Sequence, residues 1–336
     1  MNLRQPTELF LETLGRFFRK EHKKIRENIA LCVYSILRGE SVNTAEIARY
    51  MHEVNGLPFK TNDMRVYRLL QSENFQVSDR LWRGHVRLLF VMLASLGLKP
   101  GARIQINVDY TTDRSDFLIL CAAIQFRGVS LPVYFSLRNY PKRQGMIDQK
   151  KLELAFFKAL RHLLPEGYRY VIVADRGFGH ERILEILENL KLDYVIRLTE
   201  SFLIHDQGQN LLVATLPHRA MDRSVEVVTW QRSVRLVKRV RGEDAWLLAA
   251  SPHVPSPGTF YEERFAIEKL FKNTKSGGFD LEKLLVTKYD RFKRMVFIAC
   301  VAYVLLVTLG IQVHDHAHAM KKNCCFLVTA HAVFSA

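Results

Sequence analysis

Apolar residues recur every three or four positions through LFLETLGRFF (9–18), IALCVYSILRG (29–39) and VRLLFVMLASLG (86–97), with polar breaks between them. That period predicts a run of amphipathic helices over residues 1–99. At Pro100 and Gly101 the pattern changes. IQINVDYT (104–111), FLILCAAIQF (117–126) and VSLPVYFSLR (129–138) have strand composition and short polar or glycine links, which predicts a three-stranded antiparallel meander. A helical period over 149–164, an almost wholly apolar strand YRYVIVAD (168–175), a helix over 181–190 and a strand LDYVIRLT (192–199) follow, and this alternation implies strands covered on both faces.

Between residues 200 and 250 the pattern returns to short strands, VEVVTWQRSVRLVKRV (225–240) and DAWLLAAS (244–251) among them, and predicts a β-rich insertion. The Pro- and Gly-containing linker SPHVPSPG (251–258) then leads into a helical segment from Tyr261. The expected domains are therefore a helical domain at 1–99, an α/β core at 100–199 and 251–313 split by the insertion at 200–250, and a tail at 314–336. Residues 295–313 (MVFIACVAYVLLVTLGIQV) are long and apolar enough to span a bilayer. With four basic residues just before them and no second span, they are read as a buried core helix.

Within the first domain, Asn43 or Thr44 can cap a helix through AEIARYMHEV, residues 56–58 make a turn, and Thr61 or Asn62 can cap a second helix, DMRVYRLLQ. The second helix carries Arg65 and Arg68 on one face, which suits contacts in a DNA groove and equally suits an ordinary bundle with solvated arginines.

Charge alters the picture. Lys and Arg outnumber Asp and Glu by 49 to 34, a formal +15 spread along the chain, and a basic surface of this kind points to a polyanion. The five cysteines form no CxxC pair and no zinc spacing, and no apolar leader stands at the N-terminus, so a cytoplasmic setting is expected.

Three acids stand out against this background. Asp109 falls in the middle of a strand among Ile104, Ile106 and Val108, where an unpaired carboxylate is costly unless something binds it. Asp175 ends an apolar strand and is followed by Arg176 and Gly177; ligands gather at such strand ends. In the helix after the linker, Tyr261, Arg264, Glu268 and Lys275 lie at offsets 0, 3, 7 and 14, within one narrow arc at about 100° per residue. Three carboxylates from two strands and a helix would form the hard oxygen set that Mg²⁺ or Mn²⁺ prefers, in a pair of ions about 3.5–4 Å apart.

The pieces Asp109-Tyr110-Thr111, Asp175-Arg176-Gly177-Phe178 and the Y-x2-R-x3-E-x6-K series of 261–275 resemble the catalytic motifs of bacterial insertion-sequence transposases of the insertion-sequence-four family. The resemblance covers roughly residues 100–310 and implies an α/β fold: a ribonuclease-H-like mixed sheet flanked by helices, interrupted by a β-rich subdomain and preceded by an all-α domain. It implies Asp109, Asp175 and Glu268 as catalytic, metal-holding acids, and Tyr261, Arg264 and Lys275 as DNA contacts. It further implies a homodimer that synapses two transposon ends, frees a 3′-hydroxyl and joins it to target DNA in the bacterial nucleoid. Tyr110 stands where a small residue is common in that family.

Other candidates are Lys142 and Arg143 in the loop NYPKRQG, Arg176, and Trp230 as a base-stacking aromatic, with a charged turn and a core tryptophan as the plainer alternatives. His314, His316 and His318 with Asp315 can be drawn as a metal cluster, but alternate spacing in a tail fits solvated side chains better. Two rival functions remain beside a transposase: a DNA-binding derivative that no longer cuts, and a nuclease that only hydrolyses.

Overall fold

The computed structural model describes residues 4–113, 117–139, 149–206, 208–215, 223–227, 233–241, 244–275, 279, 281, 284 and 286–322. They fall into two compact units, residues 1–99 with 272–336, and residues 100–271.

The first unit is helical: α1 (Arg4–Phe17), α2 (Lys23–Gly39), α3 (Thr44–Asn55), α4 (Phe59–Gln71) and α5 (Asp79–Ser95), joined by the C-terminal α10 (Tyr289–Lys322). The unit is discontinuous, because residues 272–336 group with residues 1–99 and not with 100–271. The cause is the apolar 295–313 stretch. Met295, Phe297, Ile298, Val301 and Val304 of α10 are buried, and the helix packs on α2, α4 and α5. Its Arg294 donates from Nε to the Phe75 carbonyl and from Nη1 to the Leu70 carbonyl. The helix remains long and apolar enough to cross a membrane, with over half of its most apolar stretch buried within the protein. It also runs on through residue 322, so the start of the expected tail is helical; no Pro or Gly interrupts 311–322.

In α3 the Asn43 side chain accepts the Ala45 amide, and Gly56, with φ of 67°, ends the helix in the left-handed region. The next helix starts earlier than a Thr61 or Asn62 cap would allow. Pro58 precedes its first turn and its carbonyl accepts the amides of Thr61 and Asn62. Asn62 is instead buried, donating to the Leu57 carbonyl and pairing with Asn55, so it ties the turn together.

The second unit is built on one ten-stranded sheet of order β3-β2-β1-β4-β5-β10-β9-β8-β6-β7. Its strands are β1 (Arg103–Asp113), β2 (Phe117–Phe126), β3 (Val129–Asn139), β4 (Arg169–Ala174), β5 (Asp193–Arg197), β6 (Leu203–Asp206), β7 (Gln209–Leu212), β8 (Arg223–Val227), β9 (Ser233–Arg241) and β10 (Asp244–Ala250). The first three form the antiparallel meander, while β1, β4 and β5 are parallel neighbours linked through α6 (Gln149–Leu163) and α7 (Glu181–Asn189). This mixed sheet flanked by helices is compatible with a ribonuclease-H-like core. The β-rich stretch continues the same sheet: β10 pairs with β5 through Leu248 and Arg197, Ala249 and Ile196, and Ala250 and Val195. The helices α8 (Pro257–Glu263) and α9 (Ala266–Lys275) complete the chain order. Tyr261 of α8 packs into a cluster with Val171, Val173, Val195, Trp246 and Leu248.

Candidate active site

Strand pairing brings the first two acids together. The parallel register of β1 and β4 ends at Val108 opposite Ala174, and the next residues on the two strands are Asp109 and Asp175. Neighbouring strands lie about 4.8 Å apart, and the charge of Asp175 acts on the Asp109 carboxyl. Asp175 also opens a short turn in which its Oδ1 accepts the Gly177 amide at 2.9 Å. A side chain at Gly179 would meet the Arg197 carbonyl at 2.3 Å, which is why the turn needs glycine there.

The third acid arrives by a polar ladder on β1. Alternate residues of that strand share a face, and Gln105, Asn107 and Asp109 all point toward the segment carrying Glu268. Gln105 Nε2 donates to the Phe260 carbonyl at 2.8 Å and Asn107 Nδ2 reaches the Glu263 carbonyl at 3.5 Å. Arg264 Nη1 then donates to Asp109 Oδ2 at 3.1 Å, and Arg264 Nη2 donates to Glu268 Oε1 at 3.0 Å. One guanidinium therefore bridges a strand acid and a helix acid that are 159 residues apart in sequence (268 − 109).

Helical spacing alone predicts a different placement for the 261–275 series. The helix is interrupted at Arg264 and Phe265, where three-residue hydrogen bonds (Arg264 to Tyr261, Ile267 to Arg264, Glu268 to Phe265) tighten the backbone into a bend. Tyr261 is consequently a buried core residue, packed edge-on against Trp246. Arg264, also expected at a DNA-facing edge, has a side chain only 7% exposed, stacked over Phe265 and turned onto the acids. Lys275 is half-buried at the end of α9.

Electrostatics ties the three acids into one centre. Burial pushes the Asp109 carboxyl up to about 6; the Arg264 charge and the Tyr110 amide on Oδ1 pull it down, and the charges of Asp175 and Glu268 push it further up. Burial works against the charge of Arg264, yet Tyr261, Asp109, Glu268 and Asp175 together raise its pKa, so the guanidinium stays charged. Among the described residues no three His, Cys, Asp or Glu side chains stand at metal-ligand spacing; Arg264 lies between Asp109 and Glu268. The chemistry of the donor set nonetheless fits a divalent metal: carboxylate oxygens from β1, the β4 end and α9, in mutual repulsion and balanced by a single cation.

On the other face of β1, Tyr110 stacks on Phe178 with ring centroids 5.2 Å apart and donates its hydroxyl to Glu153 Oε1 at 3.0 Å. Glu153, on α6, is 1% exposed and also lies 3.6 Å from His180 Nε2. Tyr110 adjoins Asp109 and Phe178 belongs to the Asp175 turn, so this contact braces the two acid-bearing segments against each other. Gln105, Asn107, Glu153, His180 and Arg197 escaped the sequence reading; only the polar alternation of Gln105 and Asn107 between Ile104, Ile106 and Val108 hinted at a strand face with a polar partner.

Of the remaining candidates, Arg176 is exposed beside Asp175, Arg68 is exposed and Arg65 half-buried on α4. Lys142, Arg143 and Trp230 lie outside the described residues. His314 and His316 are exposed on α10, with His314 3.9 Å from Asp315.

A family model described as a transposase DDE domain matches residues 127–305, a span that includes Asp175 and the 261–275 series and begins after Asp109. A comparison with curated proteins finds no match. Among solved structures, an endonuclease V from Bacillus subtilis is 11% identical, with 53% of this chain and 80% of that chain covered, at a TM-score of 0.27. That likeness is too loose to bear on fold or chemistry.

Proposed function

The chain belongs to the transposase DDE domain family, and from that premise we propose that it is a DNA transposase of the insertion-sequence-four type, with Asp109, Asp175 and Glu268 as its acidic triad. The observation that carries this reading is the shared guanidinium: Arg264 bonds Asp109 and Glu268 together, and the charge of Asp175 acts on the same Asp109 carboxylate. Acids from three separate elements rarely meet in a protein unless cations are to be bound.

The triad would hold two Mg²⁺ or Mn²⁺ ions, which when bound supply the charge that activates a water or 3′-hydroxyl and stabilises the leaving oxygen of a phosphodiester. The chain's own residues prepare that centre. The Tyr110 amide fixes Asp109 through Oδ1 and the Gly177 amide fixes Asp175 through Oδ1, so both carboxylates are oriented by backbone, not by mobile side chains. Arg264 holds Asp109 and Glu268 close, and its buried position over Phe265 supports a role in positioning the triad. Arg176, exposed beside Asp175, and Lys275 are the basic side chains we assign to DNA phosphates. The substrate is double-stranded DNA, as transposon ends and target, and the working form is a dimer that joins two ends.

The test is incubation with supercoiled DNA carrying the ends of the element, in Mg²⁺ or Mn²⁺. Nicked and joined products, both lost in Asp175→Asn, are the expected result. Nicks without joined products would mark a hydrolytic nuclease, and DNA binding with no cleavage would mark a protein that has kept only the fold.

A further inference from the structure

A second charged centre lies in the helical unit, in a cleft of about 160 Å³ between the turn that joins α1 to α2 and the outer face of α5. Arg19 and Lys20 line it from the turn, and Arg80, Arg83 and Arg87 line it from the helix; Glu21 is its one acid. The helix spacing is the reason for the convergence. Positions 80, 83 and 87 fall on one face, while Leu81, Trp82, Val86, Leu88 and Leu89 of the same helix are buried on the other.

The cleft is also held in shape. A side chain on Gly84 would meet the Phe17 carbonyl at 2.6 Å and the Phe18 ring at 2.9 Å, so glycine lets α5 approach the turn closely. Phe18, buried, packs against Phe297, and Arg80 Nη1 donates to the Lys20 carbonyl at 3.3 Å across the rim. The concentration of basic side chains in a small concavity makes its potential positive and draws anions to it.

We propose that this cleft binds a phosphate of the DNA backbone, an anchor separate from the acidic centre and from the α3–α4 pair. The proposal rests on the reading of the chain as a DNA-processing enzyme. The volume is that of about five waters, enough for a hydrated phosphate group. Arginine suits the task because its planar fork donates two parallel hydrogen bonds to phosphate oxygens. Contacts of this type are indifferent to base sequence, so the cleft would fix the register of the duplex and not its identity.

The experiment measures DNA affinity of the full chain as a function of salt. Arg80→Gln combined with Arg83→Gln and Arg87→Gln should weaken binding on the order of tenfold or more and reduce the log–log salt slope by about 0.9 for each phosphate that the protein no longer neutralises. Glu21→Gln should act in the opposite direction and tighten binding about two- to threefold. A control that removes three exposed cations elsewhere, Lys158→Gln with Arg182→Gln and Lys191→Gln, should change the slope far less. Equal losses in the cleft variant and the control, or no loss in the cleft variant while the wild type binds and cuts DNA, would overturn the cleft alone. A wild-type chain with no affinity for DNA would overturn both the cleft and the proposed function.

Discussion

The acidic centre of the α/β unit and the basic cleft of the helical unit are mirror images in charge. In the first, Asp109 and Glu268 share one guanidinium, Arg264, with the charge of Asp175 nearby; in the second, the lining holds five cations and one carboxylate, Glu21. On the proposed function the first would gather cations and the second an anion. The comparison also shows two ways of holding like charges together. The acids are gathered by long-range pairing of β1, β4 and the 257–275 segment, whereas three of the cations come from consecutive turns of a single helix.

The two centres should therefore break differently. The largest effect is expected at the acids: Asp109→Asn or Asp175→Asn should reduce DNA cleavage about 10³-fold or more, the equivalent of several kcal/mol of transition-state stabilisation, with DNA affinity changed less than threefold in a binding assay. Arg264→Ala should come next, through stability. It leaves Asp109 and Glu268 without their shared counter-charge, and with Glu268 side chain 54% exposed to solvent the cost should be about 2 kcal/mol in denaturant unfolding without divalent ions, partly recovered by millimolar Mg²⁺.

A pH dependence of comparable or smaller size separates Asp109 from the rest. Its carboxyl is raised from 3.8 to about 6 in the folded chain, so the folded state holds that proton more tightly than the unfolded state does. The stability it contributes is complete below about pH 4 and is lost as pH rises through 6. Unfolding curves in chelator between pH 4 and 7 should show a steeper decline for wild type than for Asp109→Asn; parallel curves would contradict the burial and repulsion assigned to this group. The smallest effect is expected from Tyr110→Phe, which removes the hydroxyl bond to Glu153 and should cost about 1 kcal/mol of stability with a modest loss of cleavage rate.

The strand acids were legible because both signals are local: a carboxylate in an apolar strand and a carboxylate at a strand end. Their neighbourhood depends on β1 and β4 being parallel neighbours, a pairing across β2, β3 and α6 that the strand pattern does not name. The helical series was legible in identity and not in placement. Offsets of 0, 3 and 7 define an arc only on an unbroken helix, and no residue type at Arg264 or Phe265 announces the bend that turns Tyr261 into the core and Arg264 onto the acids. The β-rich stretch hid its destination for a related reason: the pairing of β10 with β5 joins residues about fifty apart, and strand pattern does not name the partner. The home of α10 was equally non-local. Its apolar stretch calls for an apolar surrounding, protein or bilayer, and only packing on α2, α4 and α5 shows which side chains cover it. Arg80, Arg83 and Arg87 were readable as a helix face, but the turn that makes them one side of a cleft was not.

The central claim, that Asp109, Asp175 and Glu268 share bound cations, is tested most directly by replacing Mg²⁺ with Fe²⁺ in the DNA-bound protein and adding ascorbate and peroxide, so that radicals cut the polypeptide beside the metal. Fragments ending near residues 109, 175 and 268, suppressed by excess Mg²⁺ and absent in Asp175→Asn, are the predicted result. Uncut protein, or cuts that cluster elsewhere in the chain and persist in Asp175→Asn, would contradict it.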